Sequence, residues 1–185
     1  MKFASLPLIA ASAAVFALAA CQSPEEKAAA AAERPATDGP TAAEIAARAT
    51  TPQASMTPAE REAFRAETVS LLDKVGEDRA EGHVRVDGVE DQVVAMQPLQ
   101  AHNFTVPMTQ GVSYLVFGVC DGDCTVVDLA LVDGAGTVIK TDTDSRDFPV
   151  LDFTPTTTGD YKVRITMAEC KLAPCYAGAR VYRKS

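Results

Sequence analysis

Tryptophan is absent from the 185 residues, aromatic side chains make up 6%, and there are two histidines, His83 and His102. So small an aromatic store suits the core of one modest domain rather than two. Neither histidine has the neighbouring Ser, Cys or carboxylate arrangement that suggests a catalytic triad or a metal pair. Both read as surface or strand-edge residues. Basic residues are also in short supply: 17 Lys and Arg stand against 25 Asp and Glu, for a formal charge of −8. A body of that sign has no electrostatic footprint for nucleic acid and gains nothing from an anionic lipid surface. Phosphate loops and dinucleotide fingerprints are missing too. Gly111-Val112-Ser113-Tyr114-Leu115 begins like a nucleophile elbow but lacks the closing glycine and sits in an apolar run, so Ser113 is a strand serine. The absences leave no catalytic constellation, and the chain reads as a non-enzyme.

Long apolar runs are equally scarce, with one exception at the start. Met1-Lys2-Phe3 supplies a single positive charge, and residues 6–20 are apolar apart from Pro7 and Ser12. A spanning helix needs about 20 strongly apolar residues. This run is shorter, rich in alanine, and followed at once by polar Gln22 to Lys27, so it reads as a secretory signal peptide over residues 1–20. Leu18-Ala19-Ala20-Cys21 resembles the bacterial lipobox, which implies cleavage after Ala20 and acylation of Cys21. Such an anchor holds far more firmly than a single acyl chain. Gln22 stands where that family carries an aspartate for inner-membrane retention, so the resemblance implies a lipoprotein of the outer membrane facing the periplasm. Loss of the signal removes only one basic residue, Lys2, and leaves the body still more acidic.

Residues 21–56 are dominated by Ala, Pro, Glu, Thr and Gly, with almost nothing to bury. They read as a disordered tether, with a reach of roughly 30–35 Å for about 35 flexible residues. Within it, residues 41–48 (TAAEIAAR) could form two helical turns anchored only by Ile45. Thr57-Pro58-Ala59-Glu60 then opens an amphipathic helix over 57–80: Thr is the N-cap, Pro sits at the first helical position, and Glu60 completes a capping box. Phe64, Thr68, Leu71, Leu72 and Val75 share one side, and Gly76 is a candidate terminator.

Beyond Gly82 the period changes to two. Strands are expected over 83–86, 99–106 (ended by Pro107), 112–119, 126–132, 137–140, 148–153, 161–167 and 176–183. Asp133-Gly134-Ala135-Gly136 supplies hairpin chemistry. Short strands separated by Gly, Pro, Asp and Thr predict a mainly β fold, a small antiparallel β-sandwich over residues 82–185. Thr158-Gly159-Asp160-Tyr161 also has the look of a tyrosine corner.

One order of motifs is distinctive: Phe104 and Val106; Gly111 and Tyr114; Asp128, Leu129, Leu131, Asp133 and Gly136; then Thr158, Gly159, Tyr161, Val163 and Ile165. In that order residues 98–184 resemble the bacterial pre-peptidase C-terminal domain, a small β-sandwich found beside secreted proteases and on other exported proteins. No protease domain precedes it here. The resemblance implies a binding or processing accessory and lends no catalytic residues; the chain is expected to be a monomer.

Four cysteines lie in the body, Cys120 and Cys124 in CDGDC and Cys170 and Cys175 in CKLAPC. Outside the cytoplasm an even number reads as disulfides. Three pairings are open, and proximity favours 120–124 with 170–175. A zinc site would want closer spacing and reduced thiols, and neither pair has the C-x-x-C of a redox motif. If the strands run up and down, loops 120–125, 141–147 and 168–175 share one end. That end gathers Asp121, Asp123, Asp142, Asp144, Asp147 and Glu169 against Arg146 and Lys171, a candidate site for Ca²⁺ or a cationic partner, or else a solvated rim. Calcium takes about six to eight oxygens. The run from Asp142 is no EF-hand, because Arg146 and Asp147 displace its ligand and its glycine. The functional expectation is a lipid-anchored, non-enzymatic module that binds an envelope protein or glycan, without a cofactor unless calcium occupies the acidic loops. The alternatives are a calcium-stabilised spacer and an envelope hydrolase whose polar residues assemble only in three dimensions.

Overall fold

The structure, a computed structural model, describes residues 41–144 and 147–185. The expected signal peptide, Cys21, the first part of the expected tether, and Arg146 lie outside these residues.

In the last part of the expected tether, the two helical turns allowed for over 41–48 are present, and the chain after them is paired to the body rather than disordered. Helix α1 spans Ala42–Thr50, started by a capping box in which Thr41 Oγ1 accepts from Glu44 N at 3.1 Å and the Glu44 carboxylate accepts from Thr41 N. Two orphan N–H groups are satisfied by one short motif, which is why a segment with no buried side chain is helical. Residues 51–54 then lie extended against the body.

Helix α2 spans Pro58–Arg79 and is capped the same way by Thr57 and Glu60. Hydrogen bonds from Thr57 to the Glu60 carboxylate hold its pKa below the ordinary value. Its fully buried ridge is Thr68, Leu72 and Gly76 at a spacing of four. Gly76 does not end the helix. A Cβ there would sit 2.4 Å from the Tyr182 hydroxyl, so the glycine admits the tyrosine beneath the last turns.

Nine strands are described: β1 His83–Arg85, β2 Gln92–Met96, β3 Ala101–Met108, β4 Tyr114–Cys120, β5 Cys124–Val132, β6 Val138–Asp142, β7 Val150–Phe153, β8 Gly159–Cys170 and β9 Cys175–Lys184. One sheet runs β1-β9-β4-β7, with β2 also paired to β9. The other runs β3-β8-β5-β6, and every pairing is antiparallel. The protein is therefore mainly β, a two-sheet antiparallel sandwich with a helix outside one sheet.

Two apolar layers result. Between the sheets lie Val127, Leu129, Leu131, Val163, Ile165 and Met167 against Val116, Leu151, Ala177, Ala179 and Val181. Between α2 and the five-stranded sheet lie Leu72, Val93, Phe117, Val119, Tyr176 and Tyr182, with Phe64 stacked on Tyr176 at 5.7 Å. Strand β4 serves both layers and is buried at every residue, which accounts for its continuous apolar run.

Strand β2 was not expected: Val93 faces the helix layer while Val94 and Met96 face the inter-sheet core, so no alternation marks it. Strand β3 continues through Pro107, which pairs with Asp160. It is an edge strand, where a missing donor can face the unpaired side. The Tyr161 hydroxyl donates to Thr157 O at 3.0 Å, closing the tyrosine corner.

Candidate functional site

Both disulfides are the local ones. Cys120–Cys124 has S–S 2.00 Å and Cys170–Cys175 2.10 Å. Cys124 and Cys170 are register partners on β5 and β8, so the two loops adjoin at one end of the sandwich. Lys171 N donates to Asp123 O at 2.9 Å. Asp121 ties the loops further: its buried carboxylate accepts from Cys124 N at 3.2 Å and from Tyr176 N at 2.7 Å. Burial raises its pKa above the ordinary 3.8, opposed by those bonds. Its oxygens are committed to backbone.

The remaining acids do not join it. Asp142 pairs with Leu129, five residues along β5 from Cys124 and so about 15 Å away. It accepts from Val150 N at 2.7 Å, closing the crossing from one sheet to the other. Asp144 and Asp147 follow in that crossing, and Glu169 is exposed on β8 opposite Val126. Among the described residues no group of three or more His, Cys, Asp or Glu is placed to hold a metal ion. The expected calcium site is thus corrected: β6 is too short to carry its loop to the disulfide end.

Chain from the amino-terminal side occupies that end instead. Gln53 bridges Ala173 in parallel fashion, with Ala54 N donating to Ala173 O at 2.7 Å and Ala173 N to Pro52 O at 2.9 Å. The amides of Gln53 and Gln97 exchange two hydrogen bonds of 3.1 Å. The 170–175 loop is therefore a docking point for the protein's own arm.

The two histidines and the strand serine each have partners of other kinds. His83 Nδ1 is paired with Glu81 O at 2.9 Å, His102 Nε2 with Gln92 Oε1 at 3.1 Å, and Ser113 Oγ with Thr154 Oγ1 at 2.9 Å. Burial lowers the His102 pKa.

Two arginines that sequence reasoning passed over are the buried cations among the described residues. Arg180 on β9 is bonded to Asp91 and Asp73, which raises its pKa. It floors an open groove of about 640 Å³ between the end of α2 and β1, bordered by Glu77, Glu81 and His83. Arg164 on β8 is different. It is 5% exposed, on the outward side of the four-stranded sheet, and its Nε donates to Asn103 Oδ1 on β3 at 2.7 Å. Arg164 Nη1 and Asn103 Nδ2 are buried with no hydrogen-bond partner. Thr166 and Asp128 lie buried on the same side, paired in register. Desolvation lowers the Arg164 pKa. The strand's alternation marked Arg164 as outward-facing; nothing in it marked an outward position as buried.

No family model and no curated protein matches the chain. Among solved structures it is similar to a periplasmic inhibitor of g-type lysozyme from Aeromonas hydrophila, at 9% identity and TM-score 0.38 over 52% of this chain and 90% of that one. It is also similar to the CBM36-1 domain of a xylanase from the hindgut metagenome of Trinervitermes trinervoides, at 11% identity and TM-score 0.32 over 55% and 82%. A further likeness is to the carbohydrate-binding module CBM36 in complex with calcium and xylotriose, at 11% identity and TM-score 0.30 over 54% and 85%. At these values the likenesses bring neither a family nor a ligand with them.

Proposed function

We propose that this chain is a lipid-anchored, non-enzymatic binding module of the cell envelope, held through Cys21 in the outer membrane and facing the periplasm. The lipobox, the acidic body and two disulfides suited to an oxidising compartment support the location. No described helix is long and apolar enough to cross a membrane, so the acyl anchor is the membrane contact proposed. The likeness of residues 98–184 to the pre-peptidase C-terminal domain agrees with an accessory role.

The observation that carries the binding part is Arg164. A guanidinium has five donors, and this one is buried with a single neutral acceptor, beside a second orphaned donor on Asn103. Leaving buried donors unmade costs about 1–3 kcal/mol each, a loss that a fold tolerates where a ligand makes it good. Arg164→Met tests this by thermal and urea unfolding. Removing an uncompensated buried charge should leave stability unchanged or raise it by about 1–2 kcal/mol. A fall of that size would make Arg164 a structural residue and remove the reading.

A further inference from the structure

The two disulfides stand closer together than their separate loops require. Cys124 and Cys170 are register partners on β5 and β8, so their side chains leave the same side of the sheet. Cys124 N–H is committed within its own loop, to Asp121 O at 3.2 Å, while Lys171 N donates to Asp123 O at 2.9 Å. The two cysteines therefore do not exchange the paired N–H bonds of a hydrogen-bonded rung, and the bond instead joins their neighbours. That is the non-hydrogen-bonded rung, with Cα atoms about 4.5 Å apart and side chains at their closest. A disulfide spans Cα atoms about 4.4–6.8 Å apart, so this pair can be bridged with neither strand moving. Cys120 and Cys175 cannot be bridged in the same way. Cys120 is in register with Ala177, which leaves Cys175 on the diagonal, about 7–8 Å away. All four sulfurs belong to one end of the inter-sheet layer, Cys120, Cys124 and Cys175 buried in it and Cys170 half-buried against it.

We infer that Cys124 and Cys170 form a second, cross-strand disulfide once a dithiol reductant opens the 170–175 loop, and that this exchange releases the amino-terminal arm. Cys170 is the least buried of the four and stands between exposed Glu169 and Lys171, so it is the sulfur a reductant reaches first. One thiolate of the dithiol attacks Cys170 Sγ, and Cys175 leaves as a thiolate and takes up a proton. The second thiol of the reductant then attacks the mixed disulfide, which frees Cys170 and leaves the reductant oxidised to its own disulfide. The Cys170 thiolate attacks Cys124 Sγ, the 124–170 bond forms, the 120–124 bond breaks, and Cys120 leaves as a thiolate that is protonated. The product keeps one disulfide and holds thiols at Cys120 and Cys175, and an oxidant restores the local pairs. In the exchanged state Ala173 no longer lies in a closed loop, so the bonds that it makes with Pro52 and Ala54 lose their rigid support.

The test uses the full chain in detergent, with dithiothreitol as the dithiol. Samples taken as reduction proceeds are alkylated with N-ethylmaleimide and peptide-mapped without further reduction. Chains that have lost one disulfide should carry a Cys124–Cys170 link, with Cys120 and Cys175 alkylated. Singly reduced chains that hold only 120–124 or 170–175 would overturn the exchange. A double variant, Cys120→Ser with Cys175→Ser, should close the 124–170 link on oxidation by glutathione disulfide, with the β3–β8 amides protected as in the parent. Its Ala54 N–H should exchange faster than in the parent by about tenfold or more. An Ala54 exchange rate unchanged in the linked variant would overturn the release of the arm. The complementary variant, Cys124→Ser with Cys170→Ser, should form no bond within the chain, and a 120–175 link there would overturn the choice of partners.

Discussion

Arg180 grips Asp91 as a fork, Nε to Oδ1 at 2.9 Å and Nη2 to Oδ2 at 2.6 Å, and the same Nη2 reaches Asp73 of α2 at 2.7 Å. Asp91 also holds Arg85 at 2.7 Å. One buried cation therefore joins the last strand, the β1–β2 loop and the helix. Asp91→Ala leaves Arg180 largely unpaired, at 5% exposure, and should cost about 3 kcal/mol in urea unfolding. Asp73→Ala should cost under about 1 kcal/mol, because that carboxylate stands in water.

Gly76 yields a prediction whose sign can be reversed. In a helix interior Gly→Ala ordinarily stabilises by about 0.5–1 kcal/mol. Here the new Cβ meets the Tyr182 hydroxyl at 2.4 Å, and Tyr182 is stacked on Phe117 with centroids 5.3 Å apart, so it has little room to withdraw. Gly76→Ala should destabilise by about 1–2 kcal/mol. In a Tyr182→Phe background the same substitution should become neutral or stabilising. A cycle of melting temperatures reads both signs.

Asp121 sets a pH dependence. Burial raises its carboxyl pKa above 3.8, so the folded state holds its proton more tightly than the unfolded state does. The associated stability is fully present below pH 3.8 and is lost as pH rises through the folded value. Asp121→Asn should lack this loss of stability on raising the pH, while losing at least one of the two backbone bonds. Urea unfolding from pH 3 to pH 7 distinguishes the two profiles. Parallel profiles for parent and variant would contradict the assignment.

The 170–175 loop should hold the arm. Opening it with Cys170→Ser and Cys175→Ser should cost on the order of 2 kcal/mol. Hydrogen exchange should speed up at Ala54 N–H and Ala173 N–H while the β3–β8 pairs stay protected. Unchanged exchange at Ala54 would mean that the arm docks without help from the bridge.

Lipidation is tested at Cys21 itself. Cys21→Ala should yield an uncleaved or soluble form that leaves the detergent phase. Unaltered detergent partitioning would exclude the anchor.

Where a local rule decides the outcome, the sequence was legible. Tyr161, Val163, Ile165 and Met167 alternate because one face of β8 is buried, and the helix start at Thr57 is a capping motif. The nearest-neighbour cysteine pairing followed from loop length. What stayed hidden depends on a second layer. Val93 and Val94 face different cores, so β2 has no period. Arg164 and Arg180 occupy positions whose burial is set by distant partners. The acidic loops were placed at one end by assuming strands of equal length, and β6 stops at the level of Leu129. Gln53 shows no apolar signal at all, because its attachment to Ala173 is backbone pairing.

That attachment has a mechanical consequence. Once α1, which buries no side chain, has yielded, a pull from the amino-terminal side meets the two hydrogen bonds at Ala173, inside a loop closed covalently by Cys170 and Cys175. Tension is thereby passed to a bridge that cannot stretch, at the very border of the sandwich, before it can begin to peel α2 from the sheet at Thr57. The arm behaves as a strain relief: tugging at the leading side spends itself on a peripheral clasp that re-forms, while the strands that carry Arg164 stay in register.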